Sequence, residues 1–123
     1  MALEHEELTG KIISAAIKVH TKLGPGFVES VYENALVVEL GKMGLKVGQQ
    51  VEVEIRYEGV QVGKHRLDLL VEDAIVVENK TVKNFEPIHF AVVRSYLKAS
   101  GKDVGLLFNF AGVTLEAKRV FLR

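Results

Sequence analysis

The chain has 123 residues, carries 16 acidic and 16 basic side chains, and contains no cysteine. A length of this order predicts a single domain spanning residues 1–123. The absence of cysteine excludes disulfides and thiolate metal sites, and a formal net charge of zero argues against strongly electrostatic binding to nucleic acid or to a membrane surface.

The first ten residues, MALEHEELTG, are acidic and lack the basic start and apolar middle of a signal peptide. No apolar run in the sequence reaches the roughly 20 residues of a membrane-spanning helix. We therefore expect a cytoplasmic protein with no membrane partner.

Two helices are predicted in the first third of the chain. Apolar residues recur at helical spacing over residues 6–23, and the sequence GPG at 24–26 ends that helix. Residues 27–43 form a second predicted helix, for which Gly44 is the expected C-cap.

Strands are predicted after Gly44, where the helical pattern stops. The segment VEVEIRYEGVQVG alternates between apolar and polar residues and turns at residues 58–59. The segment HRLDLLVEDAIVVENKTV predicts two further strands joined by a turn at residues 72–74.

The last third of the chain begins with a helix that starts at Pro87 and continues to Gly101. Residues 104–110 (VGLLFNF) form a predicted buried strand, and residues 117–123 form a predicted edge strand. The element order α-α-β-β-β-α-β-β predicts an α+β fold in which helices flank a mixed sheet. The helix between residues 82 and 104 is long enough to connect two parallel strands.

The strand IVVENKTV at residues 75–82 changes from apolar to charged at Glu78-Asn79-Lys80. If the preceding turn has three residues centred on Asp73, Asp68 lies opposite Glu78, with the two Cβ atoms roughly 5 Å apart. Lys80 then shares their face of the sheet. A two-residue turn would instead place Asp68 on the other face.

Two opposed carboxylates repel each other unless a cation lies between them. Mg²⁺ binds proteins through one or two carboxylates, waters and substrate phosphate oxygens, and a lysine beside it can orient a water or stabilise charge on phosphorus. The alternative is that Lys80 forms an ordinary salt bridge with one carboxylate at a sheet edge. The spacing leaves both interpretations open.

The set Asp68, Glu78 and Lys80 on a hairpin resembles the signature of the PD-(D/E)XK nuclease superfamily, which has the restriction-endonuclease-like fold. The segment LGPGFVESVYENAL at 23–36 carries Gly26, Glu29 and Tyr32 in the spacing G-x-x-E-x-x-Y. This segment is similar to that of the GxxExxY protein family, small bacterial and archaeal proteins assigned to the same superfamily. The resemblance extends over nearly the whole chain.

The resemblance implies a nuclease that uses Mg²⁺ or Mn²⁺ to hydrolyse DNA or RNA. It implies that Lys80, Glu78 and Asp68 are catalytic. The implied metal ligands are Glu29, Asp68, Glu78 and the backbone carbonyl of Asn79. Further residues implied to contact the substrate or to support the site are Tyr32, His89 and Tyr96. Nucleic acid is the implied partner, and a homodimer is a further alternative.

Two positions depart from the pattern of the related proteins. Asn79 stands between the acid and the lysine, where the family usually has an apolar residue, and Val92 stands where related nucleases often carry a glutamine four residues before the tyrosine. We interpret Glu33, one turn after Glu29, as a solvated residue. The rival interpretation of the whole chain is a non-catalytic module that keeps the nuclease fold to bind nucleic acid or a protein.

Overall fold

The computed structural model describes residues 5–122. Residues 1–4 and Arg123 lie outside this range. The first four belong to the segment in which no signal peptide is expected, and Arg123 is the last residue of the predicted edge strand. The helices are α1 (Glu6–Leu23), α2 (Glu29–Lys42) and α3 (Pro87–Ser100). The strands are β1 (Val47–Tyr57), β2 (Val60–Val71), β3 (Ile75–Lys80), β4 (Val104–Asn109) and β5 (Glu116–Phe121). The predicted order of elements is confirmed.

The five strands form one mixed sheet in the order β1-β2-β3-β4-β5. Neighbouring strands are antiparallel except β3 and β4, which are parallel and joined by α3. β3 is therefore the central strand, and its apolar residues 75–77 are fully buried. The predicted α+β fold with a mixed sheet is confirmed.

Two apolar cores cover the two faces of the sheet. One core joins α1 and α2 to the sheet through residues such as Leu36, Leu69 and Phe108. The other joins α3 to the sheet through Val93 and Val76. No helix within residues 5–122 is both long enough and apolar enough to cross a bilayer.

The turn between β2 and β3 sets the register of the two strands. Val71 pairs with Ile75, which leaves three residues in the turn, as the sequence predicts. Glu72 and Asp73 both have positive φ, and the amide of Ala74 donates a hydrogen bond to the carbonyl of Val71 at 3.0 Å. This register decides which side chains meet further along the hairpin.

Candidate active site

The candidate site lies where β2 and β3 separate. Their backbone pairing ends at Leu69 and Val77, while β3 continues alongside β4 as far as Lys80. Beyond that point, a backbone amide of each strand donates to a side-chain carboxylate of the other strand and not to a backbone carbonyl. The amide of Asp68 donates to Glu78 Oε1 at 3.2 Å, and the amide of Asn79 donates to Asp68 Oδ2 at 2.9 Å. The two carboxylates therefore lie together in the fork between the strands.

Both carboxylates of this pair have raised pKa values. Burial is the largest cause for Asp68, and the nearby charge of Glu33 contributes to the increase. Burial and then the charge of Asp68 raise the pKa of Glu78 from 4.5 to about 8. The positive charge of Lys80 opposes both increases but does not outweigh burial. Burial and mutual repulsion therefore disfavour the charged forms of both carboxylates.

Lys80 is half-buried and lines the same cleft as the two carboxylates. Within residues 5–122, Lys80 forms no ion pair within 4.0 Å, and it lies on the central strand of the sheet. An ordinary salt bridge at a sheet edge therefore does not describe this lysine. Its ammonium group is available to a water or to a phosphate oxygen in the cleft.

Helix α2 forms the opposite wall of the cleft and contributes two acids. Glu29, its first residue, is exposed at the mouth, whereas Glu33 is only 7% exposed. The interpretation of Glu33 as solvated is wrong, because α2 packs this side chain against β1. The signal that could have shown this is its helical spacing, three residues before Leu36 and seven before Leu40, both of which are fully buried.

Two glutamines of β1 hold the Glu33 carboxylate. Gln49 Nε2 donates to Glu33 Oε2 at 2.7 Å, and Gln50 Nε2 lies 3.0 Å from both carboxylate oxygens. Neither glutamine is identified by the sequence patterns above. These bonds fix the orientation of the Glu33 carboxylate, which lines the same cleft as Asp68 and Glu78.

The cleft has a volume of about 410 Å³ and is bounded by α2, β1 and the fork between β2 and β3. A larger groove of about 930 Å³ lies between the β1–β2 hairpin and α3, but none of Asp68, Glu78 and Lys80 lines it. The smaller cleft is therefore the candidate active site.

The model of the PD-(D/E)XK nuclease superfamily matches residues 6–120 of the chain. The chain belongs to the PD-(D/E)XK nuclease superfamily. Members of this superfamily generally depend on a divalent metal ion and act on nucleic acid. The narrower assignment to the GxxExxY family stays a prediction.

The crystal structure of SSO0001 resembles this PD-(D/E)XK chain, with a TM-score of 0.59 and 19% sequence identity over 95% of the chain. The chain spans 59% of the length of that protein, so the similarity concerns the fold of the shared part. No curated protein matches the chain.

The donor groups of the candidate site fit a hard divalent cation. Asp68 and Glu78 each use one carboxylate oxygen to accept a backbone amide, which leaves the other oxygen of each for an ion. Within the described residues, no group of three or more His, Asp or Glu side chains is arranged as a complete metal cage. Mg²⁺ needs no such cage, because it commonly keeps several waters beside one or two carboxylates.

Asn79 is the unusual residue of the PD-(D/E)XK motif in this chain. Its side chain is 2% exposed, and neither its Oδ1 nor its Nδ2 has a hydrogen-bond partner within the described residues. A buried amide without partners destabilises the folded state. The apolar residue that is usual at this position would avoid that penalty.

Tyr32 lies in the core and not in the cleft. It is fully buried, its ring stacks on Phe110 at 4.4 Å, its hydroxyl donates to the carbonyl of Gly24 at 2.6 Å, and it accepts the amide of Phe27 at 3.2 Å. A role of Tyr32 in contacting the substrate or supporting the site stays a prediction. Tyr32 holds the turn that leads into α2.

His89 also lies away from the cleft, at the start of α3. Its Nδ1 accepts the amide of Glu86 at 2.8 Å, so it caps the helix. Tyr96 is half-buried, and its ring meets His65 at 4.4 Å between centroids. Burial, followed by the charges of Glu78 and Asp68, raises the pKa of Tyr96.

Proposed function

We propose that this protein is a Mg²⁺- or Mn²⁺-dependent nuclease that hydrolyses phosphodiester bonds in DNA or RNA. The observation that carries the proposal is the pair of the half-buried Asp68 and the buried Glu78 in the strand fork, next to Lys80, which has no ion-pair partner among the described residues. A structural salt-bridge network would pair the lysine and lower the carboxylate pKa values, whereas here both values are raised.

The proposed roles follow from the positions of the donors. Asp68, Glu78 and the carbonyl of Asn79 would hold the ion, and Glu29 lies at the mouth of the cleft, where a water can connect it to the ion. When bound, the ion polarises the phosphodiester group and lowers the pKa of bound water. Lys80 orients the attacking water and stabilises negative charge that develops on the phosphate oxygens.

The test is a cleavage assay on single- and double-stranded DNA and RNA with Mg²⁺ or Mn²⁺. We expect Lys80→Ala to abolish cleavage while Mn²⁺ binding and the fold remain, and Asp68→Asn to lose both cleavage and Mn²⁺ binding. Lys64→Ala is the matched control, because Lys64 is an exposed lysine paired with Glu52 at 3.5 Å and lies outside the cleft.

Cleavage that persists in Lys80→Ala would contradict the assignment of the site. An inactive wild type that still binds nucleic acid would favour the non-catalytic module. The same preparations, run in sedimentation experiments with and without DNA, test the proposed alternative of a homodimer.

A further inference from the structure

Gln50 has an unusual backbone conformation for a residue inside a strand. Its φ is +53°, in the left-handed region that side chains with a Cβ adopt only at a free-energy cost. Among the described residues, the other non-glycine positions with positive φ lie at the start of α1 or in the two hairpin turns. Of these described residues with positive φ, only Gln50 lies within a strand. It lies directly across from Asp68, because its neighbours Gln49 and Val51 pair with Leu69 and Leu67.

The two faces of β1 reverse around Gln50. Val47 packs in the core with α1 and α2, whereas Val51 and Val53 pack in the core with α3. Residues two or four apart in a regular strand share a face, so the reversal occurs between residues 47 and 51. A glycine at position 50 would produce the same reversal without the steric penalty.

The contacts of the Gln50 side chain explain why position 50 carries glutamine and not glycine. Its amide nitrogen lies 3.0 Å from both oxygens of Glu33, and Gln50 lies across from Asp68 in the pairing of β1 with β2. Gln50 therefore lies between an acid on α2 and an acid on β2. Strained residues that persist in a fold often mark a functional requirement.

We propose that Gln50 is a positioning residue that holds the Glu33 carboxylate at a fixed place beside Asp68 and Glu78, where it accepts hydrogen bonds from waters on the bound cation. This inference rests on the proposed metal-dependent function. Glu33 is suited to this outer position because the two glutamines occupy part of its acceptor capacity and fix its orientation.

The test compares Gln50→Gly with Glu58→Gly in the full chain, using calorimetric titration with Mn²⁺. Both variants relieve a positive φ, which is +53° at Gln50 and +49° at Glu58, but Glu58 lies in the hairpin turn outside the cleft. We expect Gln50→Gly to weaken Mn²⁺ binding about tenfold, as the loss of an outer-shell partner does. Glu58→Gly should bind Mn²⁺ as the wild type does. Thermal melts in EDTA show whether each variant is folded.

A second variant tests whether Gln50 acts through Glu33. Glu33→Gln keeps the volume and removes the charge, and we expect the double variant with Gln50→Gly to bind Mn²⁺ no more weakly than Glu33→Gln alone. Additive losses would overturn the inference, as would a folded Gln50→Gly variant with wild-type affinity. A wild type that binds no Mn²⁺ would instead refute the proposed function on which the inference rests.

Discussion

Glu78 should make the metal-free protein less stable as the pH rises. Its pKa is about 8 in the folded state against 4.5 ordinarily, so the folded state binds the proton more tightly than the unfolded state. This contribution to stability is fully present below pH 4.5, falls between pH 4.5 and about 8, and is absent above that. At about 1.36 kcal/mol per pKa unit, the full difference corresponds to about 5 kcal/mol.

Glu78→Gln removes this dependence because a neutral amide keeps its state at every pH. The amide oxygen can still accept the backbone amide of Asp68, which Glu78 accepts at 3.2 Å. We therefore expect the variant to be more stable than the wild type at pH 8 by up to about 5 kcal/mol, and to match it near pH 4.5. A difference of this size is comparable to the total stability of a small domain.

The assay is urea unfolding in EDTA at several pH values between 4.5 and 8.5. The free energy of unfolding should decline with pH for the wild type, and the decline should be much smaller for Glu78→Gln. Glu116→Gln, an exposed change on β5, is the control and should follow the wild type. Parallel pH profiles for the wild type and Glu78→Gln would refute the argument that burial and Asp68 penalise the charge on Glu78.

Three further predictions follow from the same contacts. Mn²⁺ at about 10 mM should raise the melting temperature of the wild type at pH 8 and leave Asp68→Asn unchanged, since the ion binds only the folded site; equal shifts in both proteins would argue against this site. Tyr32→Phe should lower the free energy of unfolding by about 1–3 kcal/mol in urea titrations, because it leaves the carbonyl of Gly24 and the amide of Phe27 without their partner; no loss would mean that water replaces the hydroxyl. Asn79→Leu should raise the free energy of unfolding by about 1–3 kcal/mol, since it removes a buried amide that has no partner within the described residues; a destabilised variant would show that the amide is paired in solution.

The sequence by itself determined the elements and the central pair of acids. Apolar periodicity distinguished the helices from the strands, and Pro87 and the glycines marked several of their ends. The sequence allowed a two-residue or a three-residue turn between β2 and β3. With the three-residue turn at 72–74, the two-residue period of strands places Asp68 beside Glu78, as in the structure. These inferences depend on local rules that act over a few residues.

Only the tertiary structure decided which other side chains reach the cleft. Tyr32 and Glu33 are adjacent on α2, yet the first supports a turn in the core and the second reaches Gln50. His89 belongs to a predicted helix, but its capping bond with Glu86 determines its role. The packing of α2 on the sheet and the left-handed backbone at Gln50 bring together residues that are 17 positions apart. No local pattern carries that information, because it depends on how whole elements pack against each other.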